Sequence, residues 1–70
     1  MNNHDFCRGL LKVAREEAKQ RRFALPPRIT ALKSTPRLYF VEADGGFREY
    51  FSADCAYHAR AKFITNLMGS

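Results

Sequence analysis

Five basic side chains recur at helical spacing near the start of the chain: Arg8, Lys12, Arg15, Lys19 and Arg22. At about 100° per residue they share an arc of roughly 80°, a stripe about 21 Å long. Such a row suits phosphates, because each neutralised phosphate releases counterions and the affinity gained is salt-dependent and tolerant of sequence. Solvated helix faces usually mix signs at i,i+4 and so gain a few tenths of a kcal/mol per pair. Only Glu16 borders this stripe, so the row repels itself with little offset. These five are therefore candidate nucleic-acid-binding residues, facing RNA or DNA phosphates. Lys33 and Arg37 flank the first hairpin and extend the patch. An acidic protein surface or plain solvent are the other occupants that such a stripe admits.

A second candidate surface is the sheet. Strand alternation puts Thr30, Leu32, Tyr39, Val41, Arg48 and Tyr50 on the face away from the helices. Tyr39, Arg48 and Tyr50 on an open sheet suit a protein interface, including a homodimer, because Tyr and Arg are enriched at hot spots. Base stacking is the competing use of the same face. Ordinary cross-strand pairing of Tyr39 with Tyr50 needs no partner at all.

The two cysteines and two histidines form two i,i+3 pairs, His4/Cys7 and Cys55/His58. If both helices start at the same end, the four side chains converge as a Cys₂His₂ zinc site. Free buried cysteines and exposed histidines are the commoner arrangement, and no metal or other cofactor is expected. Two cysteines are too few for a disulfide framework, which points to a reducing cytoplasm. Catalysis lacks its parts: there is no P-loop, dinucleotide fingerprint or Gly-x-Ser-x-Gly element. A binding protein is expected, not an enzyme.

The elements that must position these residues are short. Seventy residues suffice for one domain with a thin stability margin, so residues 1–70 are expected to form a single unit. Gly69-Ser70 reads equally as an appended tail. The net charge of +5 is uneven. Residues 1–37 hold nine basic and three acidic side chains, net +6, and residues 38–70 three and four, net −1. The start of the chain has no basic, apolar leader, and no apolar run is long enough for a membrane span.

Helical periodicity covers Asp5 to Arg22, with Asn3 as cap, and Pro26-Pro27 forbids continuation. Three strands follow, at 28–33, 37–43 and 47–51. Ser34-Thr35-Pro36 connects the first two and Asp44-Gly45-Gly46 the last two. Ser52 caps a second helix, with Asp54 in its first turn, lined by Ala56, Ala59, Phe63 and Leu67. The result is an α+β fold, α-β-β-β-α, with a three-stranded antiparallel sheet and two helices packed on one face. The expected core is Phe6, Leu10, Val13, Ala14, Ile29, Ala31, Leu38, Phe40, Phe51, Ala56, Ala59, Phe63 and Leu67.

The element order, the length, Leu25-Pro26-Pro27 before the first strand, and the small residues Ala56 and Ala59 after Ser52 resemble the double-stranded-RNA-binding domain family. The resemblance spans nearly the whole chain at the level of architecture and implies RNA binding. Where that family's second helix opens with a lysine cluster, this chain has Ala53, Asp54 and Tyr57. Its first hairpin has Ser34-Thr35-Pro36 in place of a longer Gly-Pro-x-His loop. The expected function is a small nucleic-acid-binding module. The alternative is an inhibitor or adaptor of the phage or mobile-element kind that docks on a host protein complex.

Overall fold

A computed structural model describes the backbone of residues 3–69 and the side chains of residues 5–69. Helix α1 spans Asn3–Gln20, strands β1, β2 and β3 span Ile29–Thr35, Leu38–Ala43 and Phe47–Ser52, and helix α2 spans Ala56–Gly69. The strands form one antiparallel sheet in the order β1-β2-β3. This is the α+β architecture expected from sequence. Within it α2 contacts all three strands, and α1 packs against α2. The proposed cap of Asn3, the side chain of His4, and Ser70 lie outside the described residues.

Helix α1 buries Cys7, Leu11, Ala14 and Ala18. Its other apolar row is exposed, with Phe6 60% and Val13 65% accessible. The expectation that Phe6 and Val13 join the core is therefore corrected. The physical reason is the partner surface: Ala14 and Ala18 meet Ala61 and Ile64 of α2, and small residues let two helices approach closely. The helix also ends earlier than expected. Arg22 adopts a left-handed φ of 55°. Phe23 N–H donates to Ala18 O at 2.8 Å and Arg22 N–H to Lys19 O at 3.1 Å, the two bonds of a Schellman cap. Arg22 thus sits beyond the helix, in the place glycine usually takes.

Register decides which sheet face each side chain takes. Across the second hairpin Ala43 pairs with Phe47, Val41 with Glu49, Tyr39 with Phe51 and Phe40 with Tyr50. Tyr39 (9% accessible) and Val41 are buried against Ala53, Ala59 and Phe63. They do not lie on the outer face as the alternation suggested. Leu38 and Phe40, expected in the core, take the outer face and are half-buried. The pair Tyr39–Tyr50 does not form; Tyr50 meets Phe40, ring centroids 5.0 Å apart. Gly45 and Gly46 have φ of 99° and 89°, which explains why the turn uses glycine twice. In the first hairpin β1 runs on to Thr35 with a register shift between Lys33 and Thr35, and Pro36-Arg37 make the turn.

Ser52 is the last residue of β3 and not a helix cap. Cys55 takes that role: its Sγ accepts from His58 N–H at 3.4 Å and its carbonyl from Ala59 N–H at 3.1 Å. Helix α2 is buried on two sides, by Ala59 and Phe63 against the sheet and by Ala61 and Ile64 against α1. Cys7 and Cys55 form a disulfide with Cα atoms 6.7 Å apart, so both helices start at one end of the molecule. The expectation of two free thiols is corrected. The two residues meet because the meander returns β3 to the end where α1 begins.

Two outcomes follow for stability. Ile64→Ala removes a fully buried side chain and is expected to cost about 2–5 kcal/mol in urea unfolding, whereas exposed Val13→Ser stays within about 0.5 kcal/mol. Reducing Cys7–Cys55 opens a cross-link of sequence separation 48, worth about 4 kcal/mol by chain entropy. Thermal melting with and without dithiothreitol checks this, with a clear drop in Tm expected on reduction.

Candidate functional site

On α1 the basic row lies about 90° around the axis from the buried residues, using 100° per residue. Had it lain opposite them it would face only solvent. Instead it flanks the α1–α2 seam and meets side chains from α2. Arg8, Lys12 and Arg15 line a groove of about 410 Å³ together with Leu11, Glu16, Tyr57 and Arg60. Tyr57 is half-buried. The Arg60 guanidinium carbon lies 5.0 Å from its ring centroid and that of Arg8 5.6 Å. Each such contact contributes roughly 0.5–1 kcal/mol where exposed. The ring therefore holds two guanidiniums, one from each helix.

Electrostatically the groove is one-sided: Glu16 is its single acid among four basic lining residues. Arg60 is half-buried, and its Nε is closed to solvent with no hydrogen-bond partner. An unmet donor of this kind costs roughly 1–3 kcal/mol.

The remaining sequence candidates divide. Lys19 is exposed and continues the row beyond the groove, and Arg22 follows on the α1 cap. Lys33 is exposed on β1, away from the groove lining. Arg37 is engaged structurally: its guanidinium pairs with Asp54 at 3.1 Å, and its carbonyl accepts from Ala53 N–H at 3.0 Å. It ties the hairpin to the loop before α2. Of the two basic residues on α2, Arg60 joins the groove. Lys62 lies on the other flank and donates to the Ser52 carbonyl.

Among the interface candidates, Tyr39 is buried and withdrawn. Arg48 and Tyr50 are on the outer face, Arg48 Nε pairing with Glu42 at 3.7 Å. The residue that sequence reasoning missed is Tyr57. Its i,i+3 spacing from Arg60, on the helix expected to run beside α1, was the available signal.

For zinc, the two sulfurs bond to each other, and no group of three or more His, Cys, Asp or Glu is placed to hold a metal among the described residues. A second groove of about 430 Å³ runs along the opposite flank of the seam, past Leu10, Val13, Phe51, His58 and Lys62. It is mostly apolar and lacks convergent charge. No family model matches the chain, and neither a curated protein nor a solved structure matches it.

Proposed function

We propose that this chain is a small nucleic-acid-binding module that grips phosphates with the exposed flank of α1 and with Arg60 of α2. One observation carries the proposal: Arg8, Lys12, Arg15 and Arg60 converge from two helices on a groove whose single acid is Glu16. Like-charge neighbours on a helix cost a few tenths of a kcal/mol per pair. A chain this small has only about 3–5 kcal/mol of margin. Phosphate contact offsets that cost. The α-β-β-β-α order supports the likeness to double-stranded-RNA-binding domains, although the start of α2 lacks their lysines. No helix among the described residues is long and apolar enough to cross a membrane. The Cys7–Cys55 bond argues against the reducing cytoplasm that two free thiols suggested.

Binding is expected to weaken steeply with salt, with a log–log slope of about −3 to −5 for four or five phosphates. Changing Arg8, Arg15 and Lys19 to Glu is expected to abolish it while the circular dichroism spectrum stays folded. Fluorescence anisotropy over a salt series measures both. Binding that ignores salt contradicts the proposal.

A second reading attaches to the open sheet face, where Leu32, Phe40 and Tyr50 form a straight cross-strand row. Leu32 is 62% and Tyr50 58% accessible, an apolar stripe that water covers poorly. It favours a protein contact, by a second copy or by a host complex of the adaptor kind. Sedimentation equilibrium is expected to show a concentration-dependent dimer that Tyr50→Lys abolishes. A monomer at every concentration removes the self-association.

A further inference from the structure

Resting on the reading above, we infer that the α1–α2 groove takes a single nucleic-acid strand and not a duplex. The decisive groups lie low. Tyr57 and Arg60 line the groove from α2 and are half-buried. The exposed side chains Arg8, Lys12 and Arg15 stand above them on α1. The helices meet through Leu11, Ala14 and Ala18 of α1 and Ala61 and Ile64 of α2, and the groove runs along the flank of that seam. A duplex is a broad convex cylinder. It reaches the exposed ridge of Lys12, Arg15 and Lys19 but does not lower a phosphate onto Arg60.

A single strand fits on three counts. Its backbone is narrow enough to lie between the α1 row and α2. The groove, about 410 Å³, is within the 300–1,000 Å³ or so of small-ligand sites and holds a nucleotide unit. Single-strand sites also combine a basic track with aromatic side chains, as Tyr57 and its two guanidiniums do. RNA and DNA strands share this phosphodiester chemistry.

The test uses labelled single strands of about 12 nucleotides, within the usual span of one such site, as DNA and as RNA, with the duplexes of the same sequence. Anisotropy at low salt is read on the full chain and on Arg60→Gln and Lys19→Gln, each checked by thermal melting. Single strands are expected to bind at least about ten-fold tighter than duplexes, the differential a recessed contact adds to a shared phosphate term. Arg60→Gln is expected to weaken the single strand about five-fold or more and leave the duplex unchanged, because only the strand reaches it. Lys19→Gln is expected to lower both alike. A duplex bound as tightly as the strand, or Arg60→Gln acting equally on both, overturns the inference and leaves the nucleic-acid reading intact. No binding by any of the four overturns that reading itself. Preference for one sugar across the single strands identifies the source.

Discussion

Everything in this molecule depends on how closely α1 and α2 approach. Ala14 and Ala18 of α1 meet Ala61 and Ile64 of α2, and Cys7–Cys55 fastens the two helix starts together. Alanines on both sides, Ala14, Ala18 and Ala61, limit the bulk between the helices, and Leu11 and Ile64 fill the rest of the seam. The seam gives α2 its second buried face, and α2 carries the packing against the sheet. It also fixes what stands on its two flanks. One flank brings Arg8, Lys12 and Arg15 beside Tyr57 and Arg60, and the other leaves an apolar channel past Val13 and Phe51. A bulky residue at Ala14 would widen the seam and dissolve both arrangements.

The charge distribution then makes physical sense. A row of Lys and Arg on a fully solvated ridge would cost little, because water screens charges over about 8 Å at physiological salt. Drawing Arg60 down beside the row costs more, since part of its guanidinium leaves water. The offsets visible within the chain are modest: one carboxylate at Glu16 and the face of one tyrosine. By contrast Arg37, Arg48 and Arg21 each pair with an acid. Among the described residues, no such ion pair engages Arg8, Lys12, Arg15 or Arg60.

Much of this was legible in the sequence, and the misses have definite causes. The five elements and their order follow from periodicity, two prolines and the Asp44-Gly45-Gly46 turn. The basic row follows from spacing alone. The face of β2 was misread because Leu38/Phe40 and Tyr39/Val41 are both apolar sets, and alternation cannot choose between them. The hairpin decides: a three-residue loop pairs Ala43 with Phe47, hence Tyr39 with Phe51. With Phe51 already expected inside, Tyr39 had to follow. Helix α1 misled in a related way. Its apolar arc is wide, and the small residues Ala14 and Ala18 won the seam over larger Phe6 and Val13 because the partner offers Ala61. The convergence of Cys7 and Cys55 follows from both helices starting at one end, but spacing does not choose a disulfide over free thiols or zinc; Tyr57 and Arg60 are an i,i+3 pair whose approach to Arg8 only the packing decides.

The central claim is that nucleic acid enters the groove between α1 and α2 and reaches Arg60. The most direct test is an NMR titration that follows the arginine Nε–Hε signals while an unlabelled oligonucleotide is added. The Arg60 Hε signal should move with the Tyr57 and Arg8 resonances and saturate with them, while Leu32, Phe40 and Tyr50 on the outer sheet face stay fixed. Shifts confined to that sheet face, or an Arg60 Hε that does not move while binding saturates elsewhere, would contradict it.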